Sequence, residues 1–217
     1  FTAFAVGGVA NAINIIDGFN GLTAGVTLIM LGAFGLIARQ VGDIALAFTC
    51  LVIAASVAGF FVVNWPRGKI FLGDGGAYFL GFALAWIAVL LPERNASVSP
   101  WSSLLICIYP IAEVVMSFVR KSLRPGSHPS QPDAVHLHML ANRRWAKKLW
   151  PNASLTTQNG LTAPLLWLYT LLPCSAAVFF YTSFWATLGA LVVSFVFYLL
   201  MYHKLAFFRW LPRGKQD

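Results

Sequence analysis

The fold class this sequence predicts is all-α, a polytopic bundle of membrane-crossing helices, and three observations predict it. Apolar residues fill 59% of the 217 positions and charged residues only 10%, against about 25% charged in ordinary soluble domains. The apolar residues are gathered into runs close to the roughly 20 residues a helix needs to cross the hydrocarbon. The basic residues between those runs are divided very unequally. A chain this poor in charge cannot cover a water-facing surface, so lipid is the solvent its composition fits.

Six complete runs can be drawn, at 22–38, 44–63, 76–91, 101–119, 161–181 and 183–202. A seventh, 1–16, reads as the end of a truncated span. The third run is short and must borrow residues from its flanks. The last two are joined by a tight turn near Thr182. The chain opens on Phe1 inside an apolar run, with no basic segment or small-residue cleavage site of a signal peptide. It is therefore expected to be the C-terminal part of a longer protein. Cys50, Cys107 and Cys174 each sit among apolar neighbours, where cysteine acts as a small hydrophobe, and an odd number far apart argues against a disulfide framework.

Numbering the gaps in order assigns them to alternate faces. One face holds 17–21, 64–75, 120–160 and the tail from His203. It carries thirteen basic residues, and the other face carries only Arg39 and Arg94. Cytoplasmic loops are the basic ones, so the first face is expected to be cytoplasmic. The net charge of +8 is then mostly topology, with attraction to anionic headgroups added, and nucleic acid is not expected as a partner. The chain reads as one membrane domain over 1–217. The basic loop 120–160 lies within it, and its middle, 134–149, could form a short basic helix. The alternative is an ordinary solvated loop that pins topology.

Polar groups at the edge of a bilayer are costly and are functional candidates by default. Asn11, Asn14 and Asp17 recur at three-residue spacing, which places them on one helix face, and Gly18 and Gly21 then break the helix around Asn20. Two amides and a carboxylate before a Gly-rich turn suit a phosphate-and-metal site; the alternative is interhelical hydrogen bonding. In Phe71-Leu72-Gly73-Asp74-Gly75-Gly76, one carboxylate stands among three glycines at a helix entrance. Asp74 could cap that helix or hold a hard cation, because Mg²⁺ is usually bound by one or two carboxylates plus substrate phosphates. Phe71 could stack on a base or pack against lipid. Asp133-Ala-Val-His136-Leu-His138 suggests metal or phosphate binding, or solvated loop histidines. Glu113, three residues after a helix-kinking Pro110, reads as a buried ionic or hydrogen-bonded site, functional or purely structural.

The segments NAINIIDGFNGL, NWPRGKIFLGDGGAYFLGF and PIAEVVMSFVRKSLRPGSHPSQPDAVHLHM, in that order and approximate spacing, resemble the polyprenyl-phosphate N-acetylhexosamine-1-phosphate transferases. That family includes the O-antigen initiators and the lipid I-forming translocase of peptidoglycan synthesis. The resemblance covers Asn11 to about Arg144, and the last two spans carry no diagnostic motif. It implies transfer of a sugar 1-phosphate from a UDP-N-acetylhexosamine to undecaprenyl phosphate with loss of UMP, in a bacterial inner membrane, at the start of lipopolysaccharide-type or other cell-surface polysaccharide synthesis. It implies Mg²⁺, with Mn²⁺ as the alternative. Asp17 and Asp74 are the implied catalytic acids. Asp74 with Asn14 would hold the metal, Phe71 would stack on the uracil, and Asn11, Asn14, Asn20, His136 and His138 would contact substrate. A homodimer is compatible with it.

The sequence departs from the family pattern in places. Asn20 stands where many relatives have Asp, Met139 follows His138 where another His is usual, and Glu113 replaces a commoner Asp. These point to a branch nearer the O-antigen or capsule initiators than the lipid I enzyme. The family's upstream aspartate-rich motif is absent from these residues, so this stretch by itself is expected to be inactive. The competing readings are a transporter or flippase, whose broken helices lie at mid-membrane, and a non-catalytic paralogue. A CDP-alcohol phosphotransferase would need a multi-aspartate signature that is not here.

Overall fold

A computed structural model describes residues 2–122 and 135–207. All regular structure among them is helical, and the chain is a multi-pass α-helical membrane protein. The elements are α1 (Thr2–Ile16), α2 (Leu22–Gln40), α3 (Ile44–Asn64), α4 (Gly73–Arg94), α5 (Pro100–Ile106), α6 (Ile108–Ser122), α7 (Leu137–Ala141), a π-helical turn (Asn142–Ala146), α8 (Lys147–Leu149), α9 (Leu155–Phe180) and α10 (Phe184–Phe207). Of these, α2, α3, α4, α9 and α10 are long and apolar enough to cross a membrane, and α5 with α6 makes a sixth, broken span. The apolar α1 is shorter, at 15 residues.

Where the helices differ from the apolar runs, the cause is local. The run 76–91 covers only the apolar middle of α4, which starts at Gly73 and continues through Pro92 to Arg94. Helix α9 starts six residues before its run because Ser154 caps it, accepting a hydrogen bond from the Thr157 N–H at 3.2 Å. The fourth run, 101–119, is not one straight helix: α5 and α6 meet at 75° around Cys107. Proline has no N–H, so Pro110 cannot donate to the Ile106 carbonyl four residues back. The break falls there, three residues before the proline, and Cys174 Sγ lies 3.7 Å from that carbonyl.

The segment 120–160 is not a single loop. Helix α6 continues to Ser122, α9 begins at Leu155, and 137–149 is helical with one π turn. This short basic helix buries Leu137, His138, Leu140, Ala141 and Ala146 and exposes Arg143, Arg144, Lys147 and Lys148. Asn142 pins it to α9 by donating to the Thr162 hydroxyl at 2.8 Å and the Gln158 carbonyl at 3.2 Å. Asp133, Pro125, Pro129, Pro132, His128, Arg124 and the tail beyond Phe207 lie outside the described residues.

The connections gather at two ends, as the alternation of basic residues requires. At the acidic-poor, weakly basic end Asp43 pairs with Arg94 at 2.9 Å, the Ser99 N–H donates to the Tyr181 carbonyl at 2.7 Å, and the Ser99 and Thr187 hydroxyls meet at 2.9 Å. This ties the α2–α3, α4–α5 and α9–α10 connections together. The pair is solvent-facing on its Arg94 side, so it is worth at most about 1 kcal/mol. Asp43→Asn should keep the cap of α3, where Asp43 accepts from the Leu46 N–H at 3.1 Å, because Asn caps as well as Asp. The expected result is a change of stability within about 1 kcal/mol and, in an assay of the reaction the motif resemblance implies, turnover within twofold of wild type. A large loss of turnover would mean that the chemistry is not confined to the opposite end.

Candidate active site

The site is assembled at the basic end by three helix seams. The first joins α1 to α4. At its crossing a Cβ on Gly81 would lie 2.6 Å from the Ala10 Cα and 2.9 Å from its carbonyl oxygen. Glycine alone permits this approach. The two helices run antiparallel, so the C-terminal residues of α1 lie beside the first turn of α4. Asn11 is exposed, Asn14 and Asp17 are half-buried, and Asp74 is exposed in that first turn. Asp74 does not cap α4: the cap position is Leu72, with no side-chain bond. Its carboxylate is thus free of the structural task the sequence allowed it. Phe71, 79% exposed, stands next to it on the approach to α4.

Burial holds the Asp17 carboxyl above the usual carboxylate range. The Thr23 hydroxyl pulls the other way, and the Asp74 charge adds to the rise. Two acids from different motifs are thus electrostatic neighbours. The sign for stability follows. An acid whose folded pKa is raised is destabilising when ionised, so its contribution is most favourable below its unfolded value, near 3.8, and is lost as pH rises through the folded value. Asp17→Asn should therefore raise the thermal midpoint in detergent at pH 7, and the gain should fade as pH falls toward 4. A gain independent of pH would exclude this origin.

The second seam holds the turn between α1 and α2. Gly21 adopts φ +76° with the Trp65 ring against it, where a Cβ would meet Trp65 Cγ at 2.7 Å. The Gly21 N–H donates to Asn64 Oδ1, Asn64 Nδ2 donates to the Ile70 carbonyl at 2.7 Å, and Trp167 Nε1 donates to the Gly21 carbonyl at 3.1 Å. Trp65 Nε1 reaches the Gly160 carbonyl at 2.9 Å. Asn20 belongs to this scaffold. Its N–H donates to Asn159 Oδ1 at 2.7 Å and its Nδ2 to the Pro66 carbonyl at 3.2 Å, and it is buried. The side chain expected to contact substrate donates its amide to the Pro66 carbonyl, and the Asn20 backbone N–H is held by the Asn159 side chain. Asn64 and Trp65 stand in the second motif and could have been singled out there. Asn159 and Trp167 carry no sequence signal, because their partners are remote in the chain.

The third seam docks the histidine motif. His136 and His138 are buried, not solvated. Both Nδ1 atoms lie 3.2 Å from the Glu113 carboxylate. The two rings stack at 5.3 Å and 3°, and His138 meets Phe19 edge-on at 5.7 Å. A Cβ on Gly18 would lie 3.5 Å from His138 Nε2. The third motif therefore packs beneath the turn that ends the first. Glu113, left open between functional and structural roles by the sequence, links the broken span to the histidines. The Tyr202 hydroxyl adds a further tie, donating to the Val135 carbonyl at 3.0 Å.

Among the described residues no group of three or more His, Cys, Asp or Glu side chains could hold a metal by itself. Asp17 and Asp74 are electrostatic neighbours, Asp74 is exposed and Asn14 stands on α1 one turn before Asp17, so these oxygen groups are of the kind that would suit a Mg²⁺ completed by phosphate oxygens.

Residues 1–92 match the model of the family described as Glycosyl transferase family 4. The chain is 33% identical over 147 residues to "Undecaprenyl-phosphate alpha-N-acetylglucosaminyl 1-phosphate transferase" of Yersinia pestis and of Escherichia coli (strain K12), in each case over 65% of this chain and 40% of the relative. It is 33% identical over 139 residues to "Probable undecaprenyl-phosphate N-acetylglucosaminyl 1-phosphate transferase" of Bacillus subtilis (strain 168), over 63% of this chain and 38% of the relative. The chain spans about two-fifths of the length of these curated relatives. The resemblance to the polyprenyl-phosphate N-acetylhexosamine-1-phosphate transferases carried by the three motifs is borne out.

Proposed function

We propose that these residues form part of the active site of an enzyme that transfers a sugar 1-phosphate from a UDP-N-acetylhexosamine to undecaprenyl phosphate at the cytoplasmic face of a bacterial inner membrane. The observation that carries this reading is the convergence of three motifs, remote in sequence, at the basic end of the bundle, with Asp17 and Asp74 close enough for one charge to shift the other. The excess of basic residues at that end supports its cytoplasmic orientation. The relatives' names support the acceptor.

In this mechanism an oxygen of the lipid phosphate attacks the phosphorus that bears the sugar. A new P–O bond forms to the lipid, the bond to the bridging oxygen breaks, and UMP leaves with that oxygen. Phosphoryl transfer asks the protein for positioning and charge neutralisation rather than covalent chemistry. Asp74, Asp17 and Asn14 would hold Mg²⁺, which neutralises charge on the diphosphate when bound. Phe71, exposed beside Asp74, offers a face for the uracil. The Gly73–Gly76 turn leaves room for a bulky ligand against the backbone. His136 faces the donor phosphate or sugar with His138 packed behind it, and Asn11 extends the polar wall along α1. The lipid reaches the site from the bilayer edge.

The test is incubation of membranes containing the full-length gene product, upstream acidic motif included, with labelled UDP-GlcNAc, undecaprenyl phosphate and Mg²⁺. Label should pass into the lipid fraction with release of UMP. If a panel of UDP-sugars gives neither labelled lipid nor UMP, the transferase reading fails. Movement of an unchanged lipid-linked sugar across the bilayer would point to a flippase instead.

A further inference from the structure

The reaction above gives no task to the most completely enclosed acid among the described residues. Glu113 is 1% exposed, and its two oxygens are shared out in a matched way. Oε2 lies 3.2 Å from His136 Nδ1 and accepts the Leu137 N–H at 3.1 Å and the Tyr198 hydroxyl at 3.1 Å. Oε1 lies 3.2 Å from His138 Nδ1 and accepts the His138 N–H at 3.4 Å and the Tyr109 hydroxyl at 3.4 Å. One carboxylate thus grips both rings and the backbone that carries them.

An ionised carboxylate only accepts hydrogen bonds, so each imidazole facing it must present an N–H at Nδ1. We propose that Glu113 is a positioning residue that holds His136 and His138 together as Nδ1–H donors, leaving the Nε2 atom of His136 as the chemically active position. The inference rests on the transferase reading for what that atom meets, a phosphate or hydroxyl of the sugar nucleotide. The parallel stack gives the two rings one orientation. His138 is fully buried and its Nε2 has no hydrogen-bond partner among the described residues, while the His136 side chain keeps 8% of its surface open. His136 is therefore the ring that meets substrate, and His138 is the fixed wall behind it, seated against the Gly18 turn. Partners that fix the tautomer and orientation of metal-ligating imidazoles are worth about 10–100-fold in affinity or activity, and an effect of about that size is expected here by analogy.

The proposal is tested on the ¹⁵N-histidine-labelled protein in detergent micelles, with His136→Gln and His138→Gln used to assign the two rings. Both should show a protonated Nδ1 in the wild type. An unprotonated Nδ1 in either ring overturns the proposal, and this reading does not depend on any transfer being observed. Glu113→Gln keeps the shape but offers one acceptor oxygen and one NH₂ group. One ring should then switch to the Nε2–H tautomer, and kcat/KM should fall about 10–100-fold. Glu113→Asp, which keeps both acceptors, should recover more of kcat/KM than Glu113→Gln. Unchanged tautomers with unchanged kcat/KM in Glu113→Gln would make Glu113 a packing residue only. Unchanged tautomers with lost activity would place its effect elsewhere than on the imidazoles.

Discussion

Asp74→Asn should abolish sugar 1-phosphate transfer while leaving the fold intact. Asp74 is exposed in the first turn of α4 and caps nothing, so its replacement by an isosteric amide removes a charge and no structural bond. Acidic residues in a helix's first turn stabilise it by about 0.3–1 kcal/mol through the macrodipole, which bounds the expected loss of stability. The catalytic loss is expected to be far larger. Removing one preorganised group that offsets transition-state charge commonly costs 10²–10³-fold in kcat, roughly 2.7–4 kcal/mol, and a metal-holding carboxylate should sit at or beyond the upper end. The measurement is label from UDP-GlcNAc entering undecaprenyl phosphate, for wild type and Asp74→Asn at matched expression, alongside their thermal midpoints. A lost activity with an unmoved midpoint is the expected pair. Substantial activity in the variant would remove Asp74 from the metal site, and a collapsed midpoint would give the carboxylate a structural role that the geometry does not show.

The contrast between Asp74 and Asn20 shows what the sequence could and could not convey. Both stand in Gly-bracketed motifs, Asp74 as a candidate catalytic and metal-holding acid and Asn20 as a candidate substrate contact. Pattern alone separates a polar group aimed at solvent from one spent on the scaffold only when its partners are near in sequence. Asn20 bonds to Asn159 and Pro66, distances along the chain that no local reading reaches. Glu113 and the two histidines present the same difficulty: the acid reads as buried and the histidines as loop residues, and only the folded α7 segment brings them together. The membrane helices were far more legible, because hydrophobic length and the basic bias are properties of the chain taken locally. Even there, the break at Cys107 required knowing that a proline unpartners the carbonyl four residues behind it, so the kink and the proline do not coincide.

On the proposed function, Gly81→Ala should cut turnover almost as severely, though the residue lies about two turns along α4 from Asp74. The methyl group would be placed 2.6 Å from the Ala10 Cα and 2.9 Å from its carbonyl oxygen. Both are backbone atoms, so no side-chain rotation relieves the contact, and α1 and α4 must separate or slide. Overpacking of this kind costs about 1–3 kcal/mol. The same displacement is carried to the end of the seam, where α1 delivers Asn14 and Asp17 and α4 delivers Asp74. A misplacement of about 1 Å can cost on the order of 10²-fold in rate. Gly59→Ala is the matched control, since a Cβ there meets nothing within 4 Å. Turnover and thermal midpoint should both fall for Gly81→Ala and both hold for Gly59→Ala. If Gly81→Ala loses stability but keeps full turnover, then the two carboxylates are held in register by the α1–α2 turn and its Asn64 and Trp167 ties, and the helix seam is only packing.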